Sequence, residues 1–310
     1  MSAFQLFAVE DAGPRPLRIP DGATQFPDLY RGLPLGVYTA LRTFEHNKFL
    51  YLSRHLARTE RSMALLGWKY TLDRARLLRA LHGVASAAEW PDSRVRIDVL
   101  AAGDTATTVE GRDITSRELI AIQPFTPPPP ELYRRGVAVD FARGLTRESP
   151  LAKTADFAAR RPASAGLTQL ENAAHETAAA PAGDDANPPA PYEYLLVDDR
   201  RRILEGTGTN FWAIRDGVIY TAGEGVLEGI TREILLQLIP ELGLPLRLEA
   251  VGVDDVAALD EAAVSGSSRA FLPVVEIAGQ AVGDGRPGPL TGRILAAYNA
   301  FVAGNVRTAV

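Results

Sequence analysis

The sequence predicts an α/β (α+β) protein of two domains, one on either side of a proline run. Three observations carry that expectation. Apolar runs of period two alternate with runs spaced three and four residues apart along the whole chain, the mark of mixed strands and helices. Pro124-Phe125-Thr126-Pro127-Pro128-Pro129-Pro130 favours an extended, semi-rigid segment, which divides a smaller domain at 1–123 from a larger one at 132–310, with a linker at 124–131. The 310 residues are 46% hydrophobic and 23% charged, enough to bury a large core in each half.

In chain order, residues 4–9 read as a short strand and a Pro/Gly-rich loop follows to Leu35. Residues 35–44 and 48–52 form a strand pair around the polar turn Glu45-His46-Asn47-Lys48. Residues 53–66 have helical spacing, with His55, Leu56, Thr59, Ser62, Met63 and Leu66 along one side, and 72–88 make a second amphipathic helix. Residues 94–100 alternate basic and apolar as a half-buried strand, which puts Arg94, Arg96 and Asp98 on one face. Beyond the prolines come a strand at 137–142, an Ala-rich helical stretch at 167–180 and a polar Pro-rich loop at 181–191. Residues 192–238 then read as strand, basic turn, strand, Gly/Thr corner, hairpin, loop and helix. Asp216-Gly217 is a strong hairpin signal, and Ile230, Ile234, Leu235 and Leu238 begin the helix. A last helix starts at about Gly292.

Composition narrows the function. A net charge of -5 and a pI near 5.5 leave no basic excess for phosphate backbones, which argues against a general nucleic-acid binder. Zero cysteines exclude a disulfide scaffold, a thiolate nucleophile and a cysteine metal site, and four scattered histidines argue against zinc. No run approaches the roughly 18 apolar residues of a membrane span, and no basic segment with an apolar core opens the chain, so a cytoplasmic enzyme is expected.

Two features of 192–238 suggest chemistry. Glu205 ends an apolar strand beside Gly206-Thr207-Gly208-Thr209-Asn210, small residues that let a ligand approach backbone. Gly229-Ile230-Thr231 opens a helix, whose free N–H groups suit phosphate. By spacing alone, an ordinary strand-end carboxylate and an ordinary cap remain open for these residues. Taken together they invite a cofactor with a phosphate and a basic ring nitrogen, such as pyridoxal phosphate, which also needs a lysine. The chain has three, and Lys48 and Lys69 sit in polar or helix-end settings. Lys153 alone lies among small and apolar residues, Pro150-Leu151-Ala152-Lys153-Thr154-Ala155, where desolvation lowers an amine's pKa; a surface loop is the competing account.

These residues carry a resemblance. Glu205 to Phe211 resembles the EGxxxN box, and Val226-Leu227-Glu228-Gly229-Ile230-Thr231-Arg232 the LPGITR box, of the class IV, fold type IV, pyridoxal-phosphate aminotransferases. His55-Leu56-Ala57-Arg58 is similar to the HxxR box, and Ser265-Gly266-Ser267-Ser268 to a C-terminal SGT box. The likeness runs from about Gly36 to Phe301. It implies a small N-terminal α/β domain, a larger C-terminal pseudo-barrel domain, and a homodimer with the cofactor between domains. It implies Lys153 as the lysine of the Schiff base and general base, with cofactor contacts from Arg58, Glu205, Thr209, Ile230, Thr231 and Ser267. Arg96 and Ser268 would face substrate, although Arg96 is also readable as part of a solvated sheet face. Arg58 fits its part because guanidinium–phosphate bonds are worth about 1.5 to 3 kcal/mol each, whereas His55 reads as a structural histidine.

The implied reaction moves an amino group from an amino acid or amine to a 2-oxo acid. A lyase of the aminodeoxychorismate type uses the same constellation, and a non-catalytic phosphate-ligand binder would keep the cradle without Lys153. The chain departs from the family at 26–32 and at Asp156-Phe157, where an Asn and a Tyr often follow the lysine. A hydroxyl that touches the ring oxygen is then missing or supplied from elsewhere. The loop at 181–191 is longer than in the family. Donor identity and handedness are not legible.

Overall fold

The computed structural model describes residues 4–23, 25–101, 107–109, 111–171 and 190–308. The far part of the helix expected at 167–180, and the loop at 181–191 up to residue 189, lie outside the described residues.

The first half holds β1 (Gln5–Glu10), β2 (Gly13–Pro16), a 3-10 turn (Phe26–Tyr30), β3 (Val37–Phe44), β4 (Lys48–Leu50), α1 (Leu52–Leu65), α2 (Arg74–Ala87), β5 (Ser93–Val99), a hairpin of β6 (Thr107–Val109) and β7 (Arg112–Ile114), and β8 (Glu118–Pro124). Its main sheet runs β4-β3-β5-β8-β1-β2, antiparallel throughout. The chain's last strand, Val306–Thr308, returns to pair with β4. Helix α1 forms because its apolar positions recur at three and four residues, so Leu56 and Met63 join Leu77 and Leu81 of α2 against Val95, Ile97 and Ile122 of the sheet. The 3-10 turn covers the opposite face through Phe26, Leu29 and Tyr30. Strand β8 is central and covered on both sides, which explains its unbroken apolar run Leu119-Ile120-Ala121-Ile122.

The proline run is less uniform than a linker. Pro124 closes β8, residues 125–129 are irregular, and Pro130 opens α3 (Pro130–Arg135). A proline fits that position because the first helical N–H has no partner to lose.

The second half continues with β9 (Val137–Phe141), α4 (Ala155–Ala159), α5 (Ala165–Glu171), β10 (Glu193–Val197), β11 (Ile203–Gly206), β12 (Asn210–Arg215), β13 (Val218–Tyr220), α6 (Ile230–Glu241), β14 (Leu246–Arg247), a 3-10 turn (Val253–Ala258), β15 (Glu261–Gly266), β16 (Ala270–Ile277), β17 (Gln280–Ala281), α7 (Pro289–Asn305) and β18 (Val306–Thr308). The sheet order is β11-β10-β9-β16-β15-β12-β13-β14, with β17 beside β16. A further pairing of Glu205 on β11 with Asn210 on β12 closes the strands from β11 round to β12 into a ring, the pseudo-barrel that the resemblance implied. The hairpin at Asp216-Gly217 forms as expected, with φ of 53° and 73°, both in the left-handed region that a two-residue hairpin turn requires.

Helices α6 and α7 cover one side of the ring, where Trp212, Phe271, Ile234, Leu235 and Ile294 form a core; Phe211, Val264 and Leu272 pack on the other side. Among the described residues no helix is long and apolar enough to cross a membrane. Phe271 is fully buried and meets Trp212 edge-on at 5.9 Å. Phe271→Ala should therefore lower stability by about 3 to 5 kcal/mol, measured as a shift of the urea midpoint; a change under about 1 kcal/mol would place that ring outside the core.

Candidate active site

A cavity of about 1100 Å³, its open mouth included, lies between the first sheet and the turns at one end of the barrel. Its walls come from β3 and β5 on one side and from the 206–210, 227–231 and 265–269 segments on the other. Register explains the first wall. Tyr38 lies opposite Asp98 and Ala40 opposite Arg96, so alternate residues of two neighbouring strands face the same way. Lys153, Glu205, Arg58, Thr209, Ile230, Thr231, Ser267, Ser268 and Arg96 all line this one space.

Lys153 is held by its backbone. Its N–H donates to Ser62 Oγ at 3.1 Å, and its carbonyl accepts from the Tyr38 N–H at 3.0 Å. The next turn is pinned by the Ala155 N–H, which donates to the Gly36 carbonyl at 2.7 Å, so the lysine segment lies along the start of β3. Burial pushes the Lys153 amine down to about 8, the nearby Tyr38 phenol opposes this, and Arg58, Arg147 and Arg161 add to it. Lys48 instead pairs with Glu45 at a surface turn, and Lys69 is exposed.

Glu205 is 1% exposed. It accepts from Arg147 Nε at 2.9 Å, from Asn210 Nδ2 at 3.3 Å and from the Leu227 N–H at 3.1 Å. Burial pushes its carboxyl above the usual range, and Arg147, the Leu227 N–H and Lys153 pull against that rise. A carboxylate has about four acceptor sites. With three of them filled, one further N–H can be accepted from the cavity. Asn210 Nδ2 also donates to the Leu227 carbonyl at 2.9 Å, which ties the two motif loops together. Gly229 permits this approach, since a Cβ there would collide with Asn210 Oδ1.

Arg58 is buried on α1 and stands beside Gly229, Ile230 and Thr231 at the start of α6. Nη2 donates to Thr39 Oγ1 at 3.0 Å and Nη1 to the Glu228 carbonyl at 3.3 Å, while the buried Nε has no partner. Burial pushes this guanidinium down to about 10. A buried cation held only by neutral acceptors, next to free helix N–H groups, is a site that an anion would complete. Thr39 Oγ1, which accepts from Arg58, also shares a hydrogen bond of 2.7 Å with His55 Nδ1, whose direction follows the ring's tautomer. Burial holds His55 well below its usual range, as a neutral structural ring.

Arg96 meets a different arrangement from an open cation. It donates to both Asp98 oxygens at 2.6 to 3.0 Å and is sandwiched between the Tyr30 and Tyr38 rings, at 4.2 and 4.1 Å. Its charge is balanced before any ligand arrives. Phe26 and Pro27 also line the cavity of their own chain.

Several positions in and around the cavity escaped the sequence reading. Tyr38 is buried, carries the Lys153 ammonium over its ring at 4.8 Å, and has its phenol brought down to about 7; burial raises it, and Lys153, Arg161, Arg96 and Arg147 outweigh that. It supplies a phenol near the lysine, where Phe157 offers none. Phe157 instead carries the Arg147 guanidinium over its ring at 3.9 Å. Arg147 and Arg161 sit in loops without periodicity, and no motif marks them. Glu193 accepts from Thr207 Oγ1, the Gly208 N–H, Thr209 Oγ1 and Arg269, and so shapes the whole 207–209 turn. Among the described residues no group of three or more His, Cys, Asp and Glu could hold a metal.

Known proteins share this architecture. The family model described as Amino-transferase class IV matches residues 36–277, and the chain belongs to that family. A branched-chain-amino-acid aminotransferase of Pseudomonas aeruginosa is 37% identical over 113 residues, covering 36% of this chain and 37% of that protein. A D-alanine aminotransferase of Staphylococcus haemolyticus is 35% identical over 102 residues, 32% of this chain and 36% of that protein. The matched stretches thus span little more than a third of these relatives' length. The fold extends further. A T.th. branched-chain amino acid aminotransferase solved with pyridoxamine 5'-phosphate superposes with a TM-score of 0.73 over 100% of both chains at 19% identity. The Escherichia coli branched-chain enzyme reaches 0.70 over 98% of this chain and 96% of its own, at 20% identity.

The lowered amine of Lys153 makes a testable distinction. Reductive methylation with limiting formaldehyde and cyanoborohydride should label Lys153 at a rate that rises with pH and is half-maximal near about 8. If peptide mass spectrometry finds Lys153 titrating together with Lys48 and Lys69, near the ordinary lysine value of about 10.4, the cavity does not activate it.

Proposed function

We propose that this protein is a pyridoxal-phosphate-dependent transaminase that moves an amino group between an amino acid or amine and a 2-oxo acid. The observation that carries this reading is a desolvated amine and a buried carboxylate sharing one cavity with an anion cradle. Membership of the class IV aminotransferase family supports it. The relatives' printed activities, on branched-chain amino acids and D-alanine, support the substrate class. The neighbour solved with pyridoxamine 5'-phosphate supports the cofactor.

The residues fit that cofactor: Arg58, Ile230, Thr231 and Ser267 would hold the phosphate, Thr209 would border it, and Glu205 would meet the ring nitrogen. When bound, the cofactor supplies an electron-withdrawing ring and a carbonyl carbon that exchanges its oxygen for the amino group. Lys153 would be the base that takes the proton from the substrate Cα and delivers it to the cofactor carbon that carries the nitrogen, and the other half-reaction would run the same transfer in reverse. An amine near neutrality suits both directions. Glu205 keeps a proton on the ring nitrogen, and Arg147, Asn210 and the Leu227 N–H aim the carboxylate. Tyr38 places a polarised phenol beside Lys153. Arg96, held by Asp98, forms the wall that substrate meets, with Ser268 opposite. We take 1–123 and 132–310 as the two domains flanking the cavity, and the enzyme as a cytoplasmic homodimer.

An amino donor alone should bleach the visible band of the cofactor-loaded protein and raise the near-ultraviolet one, and pyruvate or 2-oxoglutarate should restore it. If no L-, D- or amine donor does so, while aminodeoxychorismate releases pyruvate with the visible band regained each turnover, a lyase replaces this reading.

Glu205→Gln should keep cofactor but slow proton abstraction, by about tenfold for each unit that the ring nitrogen's pKa falls. Stopped-flow rates at wild-type level would remove Glu205 from the mechanism.

A further inference from the structure

The cavity holds more cationic side chains than carboxylates, and pairing them leaves one conspicuous. Arg96 is matched by Asp98 at 2.6 Å, Arg147 by Glu205 at 2.9 Å and Arg269 by Glu193 at 3.2 Å. Arg58 belongs to the anion cradle at α6 and Lys153 to the chemistry. Arg161 remains. Its Nε donates to the Ala158 carbonyl at 3.1 Å, and among the described residues no carboxylate pairs with it.

Its position is set from two sides. Thr154 Oγ1 caps α4 by accepting the Phe157 N–H at 3.4 Å, so this five-residue helix begins directly after Lys153 and carries Arg161 back to the cavity wall. The 206–210 turn then closes on it, since a Cβ on Gly208 would come within 2.8 Å of Arg161 Nη1. The charge reaches both Lys153 and Tyr38, which it affects electrostatically. A guanidinium fixed on the wall of the cavity that holds the reacting amine, without a paired carboxylate among the described residues, is half of a bidentate carboxylate site.

We propose that Arg161 is the substrate-carboxylate receptor of this cavity and the residue that sets its preference for amino acids over simple amines. The inference rests on the transaminase reading and deepens it. A donor or acceptor carboxylate gives Arg161 the counter-charge that Asp98, Glu205 and Glu193 give Arg96, Arg147 and Arg269. A donor without a carboxylate leaves Arg161 unpaired and forgoes that interaction.

The test uses cofactor-loaded wild type, Arg161→Ala and Arg161→Lys. Single-turnover half-reactions are run with D- and L-alanine, D- and L-glutamate and (R)-1-phenylethylamine. Calorimetric binding of propanoate and glutarate, which cannot react, is measured beside them. Arg161→Ala should raise half-saturation for the amino acids about 10- to 100-fold, the scale of a lost charge-assisted pair, with the limiting rate nearly unchanged. The amine should be unaffected, carboxylate binding should disappear, and Arg161→Lys should recover part of both. Loss for glutamate and glutarate alone assigns Arg161 to a distal carboxylate; loss for alanine and propanoate as well assigns it to the α-carboxylate. Unchanged half-saturation for every amino acid, or an equal penalty on the amine, overturns the proposal. If wild type accepts no donor, the transaminase reading falls, and carboxylate binding still decides Arg161: retained in Arg161→Ala, it overturns the assignment; abolished, it upholds it.

Discussion

The interior charge balance is the constraint on which this site depends. Glu205, Glu193 and Asp98 are buried beside the cavity, and each is faced by an arginine. An ion left alone in such surroundings costs several kcal/mol, so the carboxylates and guanidiniums have to arrive as pairs. The pairs also cross long stretches of chain. Glu205 on β11 meets Arg147, 58 residues earlier, and Glu193 on β10 meets Arg269, 76 residues later. Each closes a loop onto the barrel, so the electrostatics that tune the site also hold its walls together.

The Glu193 pair shows how this works on backbone. Thr207, Gly208 and Thr209 all donate to one carboxylate, which folds the turn around a charge. The glycines there serve close approach. A Cβ at Gly206 would strike Thr209 Oγ1, and one at Gly208 would crowd Arg161. The small residues that drew attention as a ligand-friendly corner are therefore required by neighbouring protein atoms as well.

Local chemistry was the part of this molecule legible in its sequence. Helix α1, the Asp216-Gly217 hairpin and the start of α6 follow from spacing and turn residues within a few positions of one another. The motif boxes marked Arg58, Glu205 and Ser267, and the scarcity of lysine isolated Lys153. What spacing could not supply was register across strands and the meeting of loops. Tyr38 looked like any aromatic in a strand until pairing with β5 set it over against Asp98, next to Arg96. Spacing put Arg96 and Asp98 on one face, but not the pairing in which Asp98 takes up the Arg96 fork. Arg147 and Arg161 lie in irregular segments whose destinations only the tertiary fold determines. The prolines at 124–130 read as an extended linker, and nothing in that reading showed that the last of them begins a helix.

The short pairing of β18 with β4 has a consequence for synthesis on the ribosome. Leu50 pairs with Val306, so residue 306 less residue 50 leaves 256 residues to be translated before β4 gains that neighbour. At about 5 to 20 residues per second, the wait is roughly 13 to 51 s. Throughout it, the nascent first sheet presents a bare edge that other polypeptides could join. Brevity is its protection: β4 contributes three residues, Lys48–Leu50, too few for a competing strand to grip firmly.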